Sequence, residues 1–194
     1  MINQMLNQIK SIQFTYENLD KKDISEFYLT AKNTLENGNK IVVSGLGKNV
    51  PIAEKFVGTM ISLGMKAAFL HTNTAMHGDL GVVGNEDLVI LLSKSGNTIE
   101  TIHLAKHLKK YNIDFYGLSF NDENSKLYQI CKINRYISLK LLSEGDEWGL
   151  VPNNSSVTYL VFLQALSIQL MKDFDINKKV FERNHPGGAI GEQL

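Results

Sequence analysis

The sequence has one cysteine, Cys131, which excludes an internal disulfide and any metal site built from several cysteines. That scarcity fits a reducing compartment. Cys131 lies near Leu127 and Ile130 and reads as core filler. An excess of charge is missing too. Twenty Lys and Arg balance twenty Asp and Glu, so neither nucleic acid nor an anionic membrane surface is expected as a partner. No stretch approaches the ~18 apolar residues of a spanning helix. The N-terminus lacks the unbroken apolar run of a secretory signal. Repeats and low-complexity segments are also lacking. What remains is the expectation of a cytoplasmic globular protein whose 194 residues suit one domain with a full core.

Two helical patterns open the chain. Ile2, Met5, Leu6, Ile9 and Ile12 recur at helical spacing, then Ile24, Phe27, Leu29, Ala31 and Leu35, and Gly38 stands where a C-cap glycine belongs. The polar face is rich in Asn and Gln rather than Lys and Arg. The segment is therefore expected to pack on its own core or on a sister subunit, not on a membrane. Beyond residue 38, short apolar runs alternate with helical patterns. Strands are expected at Lys40–Ser44, Lys66–Leu70, Asp87–Leu92, Phe115–Ser119 and Arg135–Leu139. Helices are expected from Pro51 to Gly64, Thr98 to Tyr111, Ser125 to Cys131 and Ser156 to Met171, the last capped by Asn153, Asn154 or Ser155. The alternation predicts an α/β fold: a three-layer α-β-α sandwich with a five-stranded, mostly parallel sheet over 38–194, preceded by an N-terminal helical segment, 1–37. In such sheets the site lies beyond the carboxyl ends of the strands. That rule gathers Ser44–Asn49, His71–Gly81 and Ser93–Thr98 at one edge.

The run Ser93-Lys94-Ser95-Gly96-Asn97-Thr98 sits on a turn from a buried strand into a helix. Such a turn aims free backbone N–H groups and the positive end of the helix dipole at one spot, where phosphate binds readily. Gly96 lets the backbone come close, while Ser93, Ser95 and Thr98 can add hydroxyl donors. The bland alternative is a Ser/Thr cap on an ordinary helix. A second glycine-rich turn, Gly45-Leu46-Gly47-Lys48-Asn49, carries a lysine. It completes neither the dinucleotide fingerprint, whose third glycine is missing, nor the phosphate-loop motif, which speaks against a dinucleotide-binding enzyme. Two such turns can form a phosphate pocket and a reaction centre, with Lys48 and Glu100 in reach of a bound phosphosugar. His71, His77 and Asp79 match no zinc spacing. His103 and His107 share a helix face and, surrounded by Lys106, Lys109 and Lys110, read as solvent-facing. The acidic loop with Glu144, Asp146 and Glu147 is either a solvated turn or the source of a general base. A Gly- and Pro-rich end around His185 ordinarily reads as a frayed tail.

Five motifs occur in order: Gly45-Leu46-Gly47-Lys48, His77-Gly78-Asp79-Leu80-Gly81, Ser93-x-Ser-Gly-Asn-Thr, Glu144 with Gly149-Leu150-Val151-Pro152-Asn-Asn-Ser-Ser, and His185-Pro186-Gly187-Gly188-Ala-Ile-Gly. Together, over 38–194, they resemble the sugar isomerase (SIS) domain of D-arabinose 5-phosphate isomerases. The resemblance implies interconversion of D-ribulose 5-phosphate and D-arabinose 5-phosphate, a step toward 3-deoxy-D-manno-octulosonate for lipopolysaccharide or capsule. It implies functional roles for Lys48, Glu100, Glu144 and His185, with His77 in the pocket. Substrate contacts are expected from Ser44, Gly47, Asn49, Ser93, Ser95, Gly96, Asn97 and Thr98. It also implies a homotetramer with sites shared between subunits, so that His185 is an ordered site residue serving a neighbour. Two departures stand out. Asn49 replaces the family's usual serine, and many members continue into a paired cystathionine-β-synthase-type module whereas this sequence ends at Leu194.

The chemistry so implied moves a proton between C1 and C2 through an enediol. Neither a redox cofactor nor a metal is expected. Glu144 is expected as the base, its pKa raised by burial, with Glu100 assisting, Lys48 holding oxyanion or phosphate charge, and His185 shuttling protons. The competing readings are 6-phospho-3-hexuloisomerase, which the HPGG ending opposes, and a phosphosugar-binding sensor, which would have lost the acid–base residues.

Overall fold

Short runs rich in Val, Ile and Leu set the frame. In the computed structural model, which describes residues 1–122, 124–131 and 135–187, they form five strands: β1 (Ile41–Gly45), β2 (Ala67–His71), β3 (Leu88–Leu92), β4 (Asp114–Ser119) and β5 (Tyr136–Ser138). Their order is β2-β1-β3-β4-β5, and every pairing is parallel. The central strands β1 and β3 are buried at all positions, as strands covered on both faces must be.

Side chains alternate between the two faces. Ile41, Val43, Leu88, Ile90 and Leu92 meet a layer formed by α2 (Lys21–Glu36), α3 (Asn49–Ser62) and α6 (Asn154–Asp173). Val42, Val89 and Leu91 meet α4 (Ile99–Lys110) and α5 (Lys126–Ile130). The expected three layers are therefore present, and none of the helices is long and apolar enough to cross a membrane among the described residues.

The N-terminal segment is two helices rather than one. α1 (Ile2–Glu17) stops short of Asp20, whose carboxylate accepts from the N–H groups of Lys22 and Asp23 and starts α2. Two residues after α2, Gly38 takes φ +80 and donates to Leu35 O, as its C-cap position predicts. α1 is inverted. It buries Ser11 and Thr15, with Thr15 Oγ1 donating to Lys140 O at 2.5 Å and Gln8 to Asn153. Its apolar row of Ile2, Met5, Leu6 and Ile9 faces outward. Of the two expected packings, burial of this row on the chain's own core is thus not the one adopted. A short helix, α7 (Lys178–Arg183), occupies part of the stretch that reads as a tail.

One buried carboxylate locks the amino edge of the sheet. Asp87, 4% exposed, accepts from Lys40 Nζ at 2.5 Å, Gly84 N at 2.6 Å and Lys40 N at 2.9 Å, tying the starts of β1 and β3 together.

Candidate functional site

In a parallel sheet of this order, β1 and β3 send their following helices to opposite faces, and a crevice opens between them at their carboxyl ends. Both glycine-rich turns lie there. The first runs from Gly45 into α3. Gly47 takes φ +60, Lys48 is exposed at the helix start, and Gly45 packs so closely on Asn49 that a Cβ would sit 2.9 Å from that residue's Cβ. Asn49 Nδ2 donates to Leu92 O at 3.2 Å and so joins this turn to the end of β3. The residue that departs from the family pattern is thereby a strut between the two turns.

The second turn runs from Ser93 to Thr98. Gly96 takes φ +63 and lies against Ser125. Gly96 O accepts from Leu127 N at 2.9 Å and Asn97 Oδ1 from Lys126 N at 3.0 Å, so the start of α5 holds the turn. Asn97 is thus engaged with the fold, and Ser95 Oγ accepts from Asn97 N. Thr98 is the N-cap of α4, yet it makes no capping bond; its hydroxyl pairs with Ser93 Oγ at 3.2 Å. Among the described residues, the first N–H groups of α4 therefore have no side-chain cap, and with the helix dipole behind them they suit an anion. Glu100, half-buried, stands in that first turn.

Ser44 is buried beneath the first turn at 1% exposure, and its hydroxyl pairs with Thr72 at 2.9 Å. It braces the loop after β2 rather than presenting a donor at the surface. That loop carries His77, exposed at the end of a 3-10 turn (Ala75–His77). Among the described residues, no three of His, Cys, Asp and Glu gather as metal ligands would.

Glu144 is 2% exposed and saturated. Oε2 accepts from the N–H groups of Asn153 and Ser155, each at 3.0 Å; Oε1 accepts from Ser155 Oγ at 2.5 Å and Lys94 Nζ at 2.6 Å. Burial pushes its pKa up, but the Lys94 ammonium and the Ser155 and Asn153 donors outweigh it and hold the carboxyl below its ordinary value. This is opposite to the upward shift expected of a base. The same contacts revise the expected cap of α6. None of Asn153, Asn154 or Ser155 caps it by side chain; a carboxylate from the preceding loop does.

His185 follows α7. Its Nδ1 lies 2.7 Å from Phe181 O and its ring stacks on Phe181 at 3.9 Å. α7 is moored by Asn184 Nδ2 to Ser62 O at the far end of α3. That is the amino edge of the sheet, so within one chain His185 does not join the turns. Residues 188–191 of its motif lie outside the described residues.

Lys48, Glu100, Asn49 and Ser93–Thr98 thus collect at one crevice, with His77 on the neighbouring loop. The sequence assigns no site role to Lys94, and it reads Ser155 only as a candidate cap of α6. Lys94 occupies the variable place in Ser-x-Ser, and only a tertiary contact reveals its partner. A cavity of about 420 Å³ lined by Asp23, Asp122, Tyr136 and Lys140 lies beyond β4 and β5, apart from the two turns.

Known proteins resemble the chain in sequence and in fold. The chain is 37% identical over 161 residues to an uncharacterized protein of Helicobacter pylori, covering 82% of this chain and 47% of that protein. It is 32% identical over 176 residues to the arabinose 5-phosphate isomerase KdsD of Escherichia coli strain K12, covering 91% of this chain and 53% of the relative. It spans about half the length of these curated relatives. The solved structure of the E. coli CFT073 protein c3406 in complex with arabinose 5-phosphate matches with a TM-score of 0.85 at 29% identity, over 94% of this chain and 93% of that one. With residues 34–167 matching the SIS domain and a parallel sheet that brings both glycine-rich turns to its central crevice, the chain belongs to the SIS domain family.

Proposed function

We propose that this sugar isomerase domain interconverts D-ribulose 5-phosphate and D-arabinose 5-phosphate, in the cytoplasm, for 3-deoxy-D-manno-octulosonate synthesis. The observation that carries the reading is the start of α4. Among the described residues, its N–H groups have no side-chain cap at the central crevice of the sheet, a place suited to the 5-phosphate. The likeness to KdsD and to a structure holding arabinose 5-phosphate supports the choice of a pentose phosphate.

Holding the phosphate leaves the rest of the sugar to lie across the crevice, which converts the proton transfer into a positioned, unimolecular step. Ser93, Ser95, Gly96 and Thr98 surround the phosphate; Asn49 ties the first turn to the end of β3, Asn97 ties the second to the start of α5, and Gly47 lets the first turn close at φ +60. Glu100 takes the C1/C2 proton. Lys48 meets the anionic oxygen or the phosphate, and His77 borders the sugar. His185, remote from the turns of its own chain, serves a neighbouring subunit of a tetramer, where it moves protons between the sugar oxygens.

The test is turnover. The purified protein is incubated with D-arabinose 5-phosphate, with and without a chelator, and ribulose 5-phosphate is followed; glucose 6-phosphate and hexulose 6-phosphates run alongside. Turnover of the pentose phosphate alone supports the reading. Turnover of the hexulose phosphate instead replaces it with the hexuloisomerase reading, and saturable binding without turnover replaces it with a sensor.

A further inference from the structure

The crevice contains an ion pair that the motifs do not display. Lys94 leaves the phosphate-friendly turn between Ser93 and Ser95 and reaches Glu144 at 2.6 Å. Its backbone is fixed, since Lys94 O accepts from Phe120 N and from Ser119 Oγ, both at 3.0 Å. Glu144 is fixed as well, by three donors from α6 and its cap. A carboxylate offers about four acceptor positions, and four donors fill them. No position is left for a substrate proton unless a donor is lost.

We propose that Glu144 is a positioning residue that aims Lys94, and that the Lys94 ammonium is a catalytic cation meeting the charge that develops on the substrate oxygens. The proposal rests on the isomerase reading. An ammonium has three N–H donors; one goes to Glu144, and the side chain keeps 38% exposure with no other partner among the described residues. The donors from α6 offset much of the Glu144 charge, which leaves the Lys94 charge directed outward. The buried Tyr159 phenol also faces Glu144, and its hydroxyl donates to Leu118 O at 2.8 Å. The proton acceptor is then Glu100, on the opposite helix layer.

Glu144→Gln, Lys94→Met, Lys94→Arg and the Glu144→Gln/Lys94→Met double variant test this. Lys94 is over a third exposed, so Lys94→Met leaves the core intact and keeps the test readable if Glu144→Gln unfolds. Each of the two disabling single variants is expected to lose about 10²-fold in kcat. The double variant should lose no more than about threefold beyond Lys94→Met, because the two residues act as one unit. Lys94→Arg should recover most of the loss, and the acid limb of kcat/KM against pH should stay in place in Glu144→Gln. Disappearance of that limb in Glu144→Gln, with Lys94→Met near wild-type activity, overturns the proposal and makes Glu144 the base. If the wild type turns over no phosphosugar, the isomerase reading fails by itself, and the pairing is read by carboxyl-carbon NMR. The Glu144 resonance should titrate below the exposed glutamates and return to their range in Lys94→Met; no movement overturns the pairing.

Discussion

Gly96→Ala tests how the second turn is held. The glycine adopts φ +63, and a Cβ built on it falls 2.6 Å from Ser125 Cβ, 2.7 Å from Ser125 Oγ and 3.2 Å from Ser119 Oγ. Ser125 cannot simply yield. Its hydroxyl accepts from Tyr128 N as the cap of α5 and bonds the Tyr136 hydroxyl at 2.9 Å. The left-handed backbone costs alanine about 1–2 kcal/mol, and forcing a methyl into a packed site costs about 1–3 kcal/mol more. The expected loss is about 2–5 kcal/mol, a large part of a typical 5–15 kcal/mol stability, with Tm lowered by roughly 5–20 °C for a chain of this length. Chemical denaturation measures it, and an accompanying Ser125→Gly change separates the parts. Glycine at 125 removes the colliding atoms while keeping most of a cap's value. In Gly96→Ala/Ser125→Gly the backbone cost, the Ser119 Oγ contact at 3.2 Å and the lost Tyr136 bond should remain while the Ser125 collision is gone, so the double variant should lose less than the sum of the two single effects by about 1–3 kcal/mol. A loss below about 0.5 kcal/mol for Gly96→Ala, the ordinary range of surface changes, would refute the reasoning, as would strict additivity with Ser125→Gly.

Asp87 should make stability fall in acid. Burial raises its pKa, but bonds from the Lys40 side chain and the Lys40 and Gly84 N–H groups outweigh it and hold the carboxyl below its ordinary 3.8. A depressed pKa stabilises the fold above the unfolded value, and that contribution is lost as pH falls through the folded value. Asp87→Asn should cost about 2–4 kcal/mol at pH 7 and flatten the decline in unfolding free energy below pH 4; an unchanged acid slope would discard the role. Cys131, whose thiol burial pushes up to about 12, should react with a disulfide reagent at least about 10²-fold slower in the native than in the unfolded protein; equal rates would contradict its burial. If the outward row of α1 is covered by a second copy, Ile9→Glu should lower the mass seen by light scattering without loss of helical signal. An unchanged mass would show that no second copy covers this row.

The central strands were legible because they are buried on both faces. Leu88–Leu92 is an unbroken apolar run, and such a run between turn residues has few other outcomes in a chain of alternating elements. The Ser93–Thr98 turn was legible for a related reason: a glycine among hydroxyl residues between a buried strand and an amphipathic helix places free N–H groups by local geometry alone. α1 was only half legible. Its periodicity marks a helix, but periodicity is silent on which face meets the core, and here the polar row of Ser11 and Thr15 is inside.

What the sequence by itself determined is therefore the alternation, the parallel sheet and the crevice edge, because these follow from periods of two and 3.6 and from turn chemistry. The tertiary structure decided the electrostatics. Lys94 and Glu144 are fifty residues apart in the chain and 2.6 Å apart in space. Only the folded contact could turn burial, which alone raises a carboxyl's pKa, into a net downward shift. The fold likewise set His185 at the amino edge, because α7 moors to the end of α3 through Ser62 O, a contact that no spacing along the chain encodes.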